Sequence, residues 1–483
     1  MKDLATRALN IAQLKGATYA DVRIVDVLSQ NIVVKNGVVE GLSQDTHQGV
    51  GLRVIVDGAW GFASSSRLEV QEVEQQAARA VSIAKASALV KPALGGEVNL
   101  GPPEVHRGSY RTPVLIDPFR VALEEKIDLL LRAAQAMQRV RGITVAEAGM
   151  TLLRKRQLFA SSEGSLIEQE IIESGAGLEA TAVGQDEVQT RSYPNSFGRH
   201  MAAAGYEFVR DMGLTESALK TAEEAVALLS AAPCPSGVTT IILGSAQLAL
   251  QIHESCGHAI ELDRVLGMEA SYAGTSFLTP EKRGTFRYGS ELVNITADAT
   301  LPNGLGSFGY DDEGVPAQRV SIVVDGLFMN YLSSRETASG FGQRSNGSMR
   351  ADGWNRIPLI RMTNINLEPG TWTLEDLIAD TDAGIYMETN KSWSIDDKRL
   401  NFQFGTETAY QIQRGKLGPL IKNATYTGMT PQFWGSCDAI CNREHWVMWG
   451  TPNCGKGQPS QTAHVGHGTA PARFRNVQVG VIR

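Results

Sequence analysis

The chain has 483 residues, more than one hydrophobic core usually accommodates, so its length predicts two large domains. With 42% hydrophobic and 20% charged residues its composition is typical of globular proteins, and its net charge of −7 argues against a nucleic-acid partner. No apolar run approaches the ~20 residues that cross a bilayer, so we expect no membrane partner either.

The first residues and the cysteines both indicate a cytoplasmic location. Met1-Lys2-Asp3 leads directly into an amphipathic pattern, and no apolar signal core precedes it. The five cysteines are sparse and odd in number, which argues against a disulfide framework. Their thiols therefore remain available as metal ligands.

Hydrophobic periodicity predicts the elements of the first half in chain order. Runs of β-branched residues predict strands, and apolar residues spaced along one face predict helices. The predicted elements are a helix at 2–15, strands at 21–27, 31–39 and 49–56, helices at 69–88 and 117–137, strand-like alternation over 143–192, and a helix at 216–230. Turns are predicted at Asn36-Gly37 and Asp57-Gly58, and Asp117-Pro118 is predicted to begin its helix.

A domain boundary is predicted at Ala232 to Gly237, where two prolines and a glycine interrupt the pattern. We therefore expect an N-terminal α+β domain at residues 1–232 and a C-terminal domain at residues 237–483. The fold class is α+β, with an N-terminal sheet flanked by helices and a second domain that is rich in antiparallel sheet and carries the metal site.

The second half begins with a buried type of strand. Residues 238–243 are uniformly apolar or β-branched, and the helix predicted after them runs through His253. Beyond residue 290 short strands and turns dominate, and one short helix is predicted within 371–382.

Two imidazoles and one carboxylate lie close together at the end of that helix. His253 and His258 are related as i and i+5, which on a regular α-helix places them about 140° apart, too far to share an ion. A widened turn of the π type brings them onto one face, and Gly257 could permit it. We therefore predict an irregular helical turn at 254–258. Two histidines this close also occur by chance, so a third ligand decides whether the site binds metal.

The chemistry of a hydrolytic zinc site fits these residue types. Glu254 follows the first imidazole directly and could act as a general base without ligating the ion. Cys454 lies among turn residues, so we expect it to be exposed, with Lys456 favouring its thiolate. A His2Cys set leaves the fourth position open for water. Other possible third ligands are Glu261, Asp263, Cys437 and Cys441.

The chain resembles the TldD/PmbA metallopeptidases, also called modulators of DNA gyrase. The resemblance rests on His-Glu-x-x-x-His at His253, Glu254 and His258, and on Cys454-Gly455-Lys456. Further matches, in the same order along nearly the whole chain, are Gly49-Val50-Gly51-Leu52-Arg53-Val54, Gly61-Phe62-Ala63, Tyr310-Asp311-Asp312-Glu313-Gly314-Val315-Pro316 and Arg361-Met362-Thr363-Asn364. The chain matches the catalytic TldD type better than the partner type that lacks ligands.

The resemblance implies a two-domain fold and a zinc-dependent peptidase that works inside a closed dimeric chamber. The dimer would be a homodimer or a pair with a related TldE/PmbA-type chain. His253, His258 and Cys454 would ligate Zn²⁺, and Glu254 would be the base. The substrates would be unfolded peptides held against a sheet edge, since main-chain pairing tolerates many sequences. Residues 437–449, rich in Cys and Trp, depart from the family pattern.

Several other residues have competing interpretations. Cys437, Cys441 and His445 could hold a second metal, but a reduced, partly packed loop is favoured. Cys256 is interpreted as helix packing, and His464 and His467 as part of a glycine-rich loop that could supply substitute ligands. Asp311 to Gly314 is an acidic cluster that could hold a second cation, but a turn with Asx-type caps is favoured. Arg361 and Asn364 are candidates for binding the substrate backbone.

Two other functions compete with the peptidase. One is a non-catalytic peptide-binding or modulator protein of the same family, against which the intact His253, Glu254, His258 and Cys454 argue. The other is a thiol redox protein that uses Cys437 and Cys441. The sequence leaves exopeptidase and endopeptidase activity equally open.

Overall fold

The structure, a computed structural model, describes residues 1–94 and 96–480 and confirms the α+β class. The first half consists of one mixed sheet and the helices around it. Its elements are α1 (Lys2–Leu14), β1 (Tyr19–Lys35), β2 (Val38–Val56), β3 (Ala59–Ser65), α2 (Val70–Leu94), β4 (Arg107–Arg111), α3 (Leu123–Gln138), β5 (Ile143–Ser161), β6 (Leu166–Val183), β7 (Val188–Tyr193), β8 (His200–Ala202), α4 (Tyr206–Arg210) and α5 (Leu214–Ser230).

The sheet of the first half has the strand order β3-β2-β1-β5-β6-β4, with β7 and β8 paired to β6. Helices α1 and α2 cover one part of it, where Ile24, Leu52 and Val73 belong to one buried cluster. Helices α3 and α5 cover another part, around Leu130 and Leu178. Apolar residues at helical spacing on these helices therefore meet the alternate residues of long strands.

Long strands replace the shorter ones predicted near the start of the chain. β1 and β2 pair over nearly their whole length, from Tyr19 opposite Ile55 to Lys35 opposite Val38. The predicted Asn36-Gly37 turn is confirmed, and both residues have positive φ. The three-strand prediction was wrong because residues 40–48 pair in the ladder while mostly exposed, so the apolar alternation that marks a strand is missing there.

The helix predicted from Asp117 begins six residues later, at Leu123. Asp117 instead accepts a hydrogen bond from the Phe119 amide and forms an ion pair with Arg154 at 2.7 Å. The Asp-Pro signal therefore marks a turn before the helix, because the aspartate side chain has a partner on β5.

The second half is built from shorter elements. They are β9 (Ala232–Pro233), β10 (Gly237–Leu243), α6 (Ser245–Ile252), a π-helical turn (His253–Gly257), α7 (Leu262–Val265), α8 (Ala270–Ala273), β11 (Ile295–Asp298), β12 (Arg319–Val324), β13 (Leu327–Phe328), α9 (Arg335–Ser339), β14 (Met349–Arg350), β15 (Leu359–Ile360), β16 (Ile365–Leu367), α10 (Leu374–Ala379), β17 (Ala383–Ile395), β18 (Asn401–Gln413), β19 (Lys416–Lys422), β20 (Thr425–Met429), α11 (Thr430–Gly435), β21 (Cys437–Ile440), β22 (Val447–Lys456), β23 (Gln461–Thr469) and β24 (Ala472–Val479). Single 3₁₀ turns lie at Ser196–Gly198, His258–Ile260, Pro280–Lys282 and Arg443–His445.

Five strands of the second half close into a ring. The pairing runs β17-β10-β24-β20-β18, and β18 pairs again with β17. Aromatic residues fill its core, among them Phe404, Trp434 and Phe474. The strand predicted at 238–243 is β10, and the short helix predicted within 371–382 is α10. Helix α6 follows β10 directly and contacts both β17 and the β22–β23 hairpin.

The segment at 437–449 is not the loop that was predicted. Residues 437–440 form β21, which pairs with β24 in the main sheet, and Cys437 and Cys441 are buried. Burial raises the pKa of both thiols to about 12. Four extended residues span on the order of 13 Å, which exceeds the reach of a disulfide, so this pair does not fit a dithiol redox centre.

Buried ion pairs join the two halves of the chain. Arg53 on β2 contacts Asp21 at 2.6 Å and Glu313 at 3.4 Å. Asp312 accepts a hydrogen bond from Gln157 on β5. The predicted Asx turn is confirmed, since Asp311 Oδ1 accepts hydrogen bonds from the amides of Glu313 and Val315. The same turn therefore also connects the second half to the first.

We propose residues 1–232 and 237–483 as the two domains, with residue 95 and residues 481–483 lying outside the described part of the chain. Within the described part, none of the helices combines the length and the apolar character that crossing a bilayer requires.

Candidate metal centre

The predicted irregular turn is confirmed and begins one residue earlier, at His253. The π-helical turn His253–Gly257 places the two imidazole rings at right angles, with their centroids 5.0 Å apart. Gly257 has an ordinary helical φ of −51°. Its role is close packing, since a Cβ there would lie 2.2 Å from Met362 Sδ. Cys256 is buried in the core, which confirms its interpretation as packing.

Cys454 reaches the two imidazoles from β22. Its Sγ lies 3.5 Å from His258 Nε2, and the potential ligand atoms of His253, His258 and Cys454 all lie within 4.8 Å of one another. The prediction that Cys454 is exposed in a turn was wrong, because it is 2% exposed and paired to Ala463 on β23. An irregularity in the pairing just before Cys454 changes the direction of its side chain.

The remaining nitrogen of each imidazole has a partner of its own. His258 Nδ1 donates to Glu261 Oε2 at 2.9 Å, and His253 Nδ1 shares a hydrogen bond with His467 Nε2 at 2.8 Å. The Nε2 atoms are therefore left for the centre of the cluster, as in metal sites where outer partners fix the ring orientation. Glu261 is one of the possible third ligands in the sequence, and the structure places its carboxylate behind His258 instead.

His467 and His464 lie on β23, so their assignment to a glycine-rich loop was wrong. The glycines around them pair in the ladder with β22. The His464 Nδ1 atom contacts Glu173 at 2.5 Å and thus faces the first half of the chain. The partnership of His467 with His253 gave no signal in the sequence, because it joins residues 214 positions apart.

Lys456 neutralises carboxylates behind the cluster. Its Nζ lies 2.7 Å from Asp263, 3.3 Å from Glu269 and 3.4 Å from Glu261, and its side chain has no exposed surface. Burial raises the pKa of Glu261, but Lys456 and His258 lower it by more, so the carboxyl remains ionised. Lys456 therefore contacts these carboxylates, whereas the sequence predicted that it favours the thiolate of Cys454.

The charge near the thiol comes from other groups. Burial raises the pKa of Cys454, while His258, His253 and Arg361 lower it to a value well below the ordinary one. Arg361 donates to Cys454 O at 2.5 Å and is 1% exposed. Asn364 is fully buried and donates to Asp298 O. Neither residue is available to substrate, so the prediction that they bind the substrate backbone was wrong.

Glu254 faces an open cavity of about 690 Å³. The walls of this cavity include His253, His258 and Cys454. Arg399 Nη1 donates to Glu254 Oε2 at 2.5 Å. Burial raises the pKa of Glu254, but the two imidazoles and Arg399 lower it by more, so the pKa of this carboxyl is held below its usual range. Arg399 belongs to a turn between β17 and β18 and no sequence motif indicated it.

The donor set fits a zinc ion. Two imidazole nitrogens and one thiolate form a set that leaves one tetrahedral position open, and a thiolate favours Zn²⁺ over hard cations. Within residues 1–94 and 96–480 this is the one group of three or more such side chains close enough to share an ion. Cys437, Cys441 and His445 do not form a second such group among these described residues.

Sequence models of one metallopeptidase family match most of the chain. The PmbA/TldA metallopeptidase domain 1 matches residues 20–86, the central domain residues 116–231 and the C-terminal domain residues 236–481. A metalloprotease of Methanocaldococcus jannaschii is 31% identical over 88% of this chain and 90% of its own length. A zinc metalloprotease TldD homologue of Saccharolobus solfataricus is 22% identical over 97% of this chain and 98% of its own length.

A solved structure has the same fold. The crystal structure of TldE from Thermococcus kodakarensis superposes with a TM-score of 0.77 at 16% identity, covering 99% of this chain and all of the other. The family matches and the named relatives agree with the resemblance seen in the sequence. The chain belongs to the TldD/PmbA family and is a metallopeptidase, a hydrolase that acts on peptide bonds.

Proposed function

We propose that this metallopeptidase is zinc-dependent and hydrolyses unfolded or extended peptides, with His253, His258 and Cys454 as the zinc ligands and Glu254 as the general base. The observation that carries the proposal is the convergence of three donor atoms within 4.8 Å on the wall of the cavity that Glu254 faces. The relative that is named a zinc metalloprotease supports the choice of ion.

The side chains of this site have separate roles in the proposed reaction. Held by His253, His258 and Cys454, a zinc ion would supply Lewis acidity for the hydrolysis. Glu254, beside the ligands but not part of the cluster, takes the proton of the attacking water and passes it to the leaving amine. Glu261 and His467 hold His258 and His253 in the orientation that presents Nε2 to the ion.

The shape of the cavity favours extended chains. A neighbouring cavity of about 320 Å³ is lined by residues of β5 and β6, so the groove continues toward these strands. The two cavities share four lining residues, which are Phe197, Arg199, Pro452 and Asn453. A peptide strand fits such a groove, whereas a folded domain does not enter it. We further propose a cytoplasmic dimer that encloses the groove, either a homodimer or a pair with a TldE/PmbA-type chain. The similarity to TldE supports a partner of that type.

The ligand set is tested by metal analysis. We expect Cys454→Ser to lose most of the zinc that co-purifies with the wild-type chain, because a hydroxyl replaces the thiolate. Cys234→Ser is the matched control, since Cys234 is also a free thiol but lies far along the chain in a half-buried position. Elemental analysis of the three proteins decides the assignment, and an unchanged zinc content in Cys454→Ser would contradict it.

The role of Glu254 is tested separately. Glu254→Gln keeps a side chain of the same shape but removes the proton acceptor, so we expect full zinc content and a loss of peptide cleavage by about 10²-fold or more. Cleavage of an unfolded reporter peptide, followed by mass spectrometry, provides the measurement. Cleavage at the wild-type rate would remove Glu254 from the mechanism, and zinc binding without cleavage in the wild type would favour the non-catalytic alternative.

A further inference from the structure

Arg399 is held by a turn whose backbone is fixed from several sides. The Asp396 carboxylate accepts hydrogen bonds from the amides of Leu400 and Asn401, and Thr430 Oγ1 donates to the carbonyl of Arg399. Arg399 itself has a φ of +64°, a conformation that residues other than glycine rarely adopt. The turn thus directs one long cationic side chain from the β17–β18 connection into the cavity.

Among the described residues, Glu254 is the one hydrogen-bond acceptor of this guanidinium. The group has five N–H donors, and the bond from Nη1 to Glu254 engages one of them. Its Nε atom is buried and has no acceptor among the residues that the structure describes. A buried donor without an acceptor is unfavourable unless a ligand or water completes it. The remaining N–H donors of Arg399 lie in one planar fork, which is suited to a two-oxygen acceptor such as a carboxylate.

The contact with Glu254 involves one of its two carboxylate oxygens. Oε2 of Glu254 accepts a hydrogen bond from Arg399, which leaves Oε1 for the proton of water during hydrolysis. A second carboxylate in the cavity would draw the guanidinium toward itself. Glu254 is the only carboxylate among the described residues that line the cavity, so a second one has to come from the substrate.

The rest of the wall suits a peptide that carries a negative charge. Arg199 is the other arginine of the lining, and it is exposed. Trp393 and Phe197 form an exposed edge-to-face aromatic pair at 6.3 Å, which offers an apolar surface next to the charges. With zinc held by His253, His258 and Cys454, the ion and the two arginines outweigh the Glu254 carboxylate and the Cys454 thiolate, so the cavity would attract anionic groups.

We propose that Arg399 is a specificity-determining residue that binds a carboxylate of the peptide substrate next to the scissile bond. The proposal rests on the peptidase function proposed above. Binding draws Arg399 from Glu254 toward the carboxylate of the substrate. The carboxylate is either the C-terminal group of the peptide or an acidic side chain, and the two sources define exopeptidase and endopeptidase action.

The test measures binding to zinc-loaded Glu254→Gln by calorimetry, since this variant should cleave too slowly to consume the peptide during the measurement. One pair of peptides differs only in a free or amidated C-terminus, and a second, amidated pair differs only in Glu or Gln. We expect at least one pair to show about tenfold tighter binding of the carboxylate form, which is typical of a hydrogen-bonded charge. Preference within the first pair identifies the C-terminal group, and preference within the second identifies a side chain.

Arg399→Met added to Glu254→Gln should reduce that preference to less than about twofold, whereas Arg399→Lys should keep part of it. Arg199→Met in the same background is the comparison and should reduce the preference less than Arg399→Met does, because Arg199 is exposed and adds to the attraction at longer range. Thermal unfolding confirms that the variants are folded. The proposal is overturned if neither pair discriminates, or if Arg199→Met removes the preference and Arg399→Met does not.

Measurements of metal content and cleavage on the same samples distinguish a failure of this proposal from a failure of the proposed function. A Glu254→Gln protein that cleaves peptides contradicts the role of Glu254, and a wild type without zinc contradicts the ligand set. Peptide binding to a zinc-loaded, inactive Glu254→Gln protein without a carboxylate preference contradicts only the assignment of Arg399.

Discussion

At the scale of single residues, the site depends on side chains that stand behind the candidate ligands. His258, Glu261 and Lys456 form a chain of contacts in which the ammonium holds the carboxylate ionised and the carboxylate holds the imidazole. The sequence indicated all three positions, since each lies within or beside a motif. It assigned Lys456 to the wrong partner, because three carboxylates that are distant in sequence converge on it only after folding.

The buried Lys456 predicts a large effect on stability. Lys456→Met leaves Glu261, Asp263 and Glu269 with reduced compensation in the interior, so we expect a loss of about 3–5 kcal/mol in the free energy of unfolding. The exposed pair of Lys2 and Glu168 is the comparison, and Lys2→Met should cost less than about 1 kcal/mol. Thermal and urea denaturation measure both. Equal small losses in the two variants would contradict the proposed role of the buried cluster.

At the scale of elements, the π-helical turn is the feature that the sequence predicted best. Spacing alone showed that two histidines at i and i+5 need a widened turn in order to share one face. The packing of that turn against Met362 was not predictable, because it depends on a contact between segments about one hundred positions apart. The strand that carries Cys454 was missed for another reason, since its two glycines and its proline are typical of turns.

The close approach at Gly257 gives a second prediction. Gly257→Ala introduces a Cβ into the space of Met362, so we expect a destabilisation of about 1–3 kcal/mol and weaker zinc binding. Gly435→Ala is the matched control, because a Cβ on this helical glycine meets nothing within 4 Å. Adding Met362→Ala to Gly257→Ala should restore part of the zinc affinity. No restoration would show that the turn is disturbed in another way.

At the scale of the whole molecule, the sequence predicted the α+β class and the predominance of antiparallel sheet in the second half. It did not predict how the halves contact each other. His200 on β8 illustrates this, since its ring contacts Phe208 at 5.0 Å and Trp449 of the second half at 4.8 Å. No local pattern indicates such a contact, because it joins a residue of a three-residue strand to a residue 249 positions later.

Burial lowers the pKa of His200 to about 4 from 6.5, which predicts acid sensitivity. The unfolded chain binds a proton near pH 6.5 and the folded chain does not, so stability falls as the pH decreases from 6.5 to 4, by about 3 kcal/mol from this group. His200→Phe removes the titrating group. We expect its thermal midpoint to decline less than that of the wild type between pH 7 and pH 4.5. Parallel declines would contradict the assignment.

The distance between the two parts of the metal centre along the chain has a consequence during synthesis. Cys454 is translated 196 residues after His258. On the proposed ligand set, a nascent chain on the ribosome therefore carries both imidazoles and the glutamate long before the sulfur exists. A polypeptide released early, by a premature stop codon or a stalled ribosome, cannot become an active protease. The order of translation thus keeps incomplete chains inactive, as a separate propeptide keeps other proteases inactive.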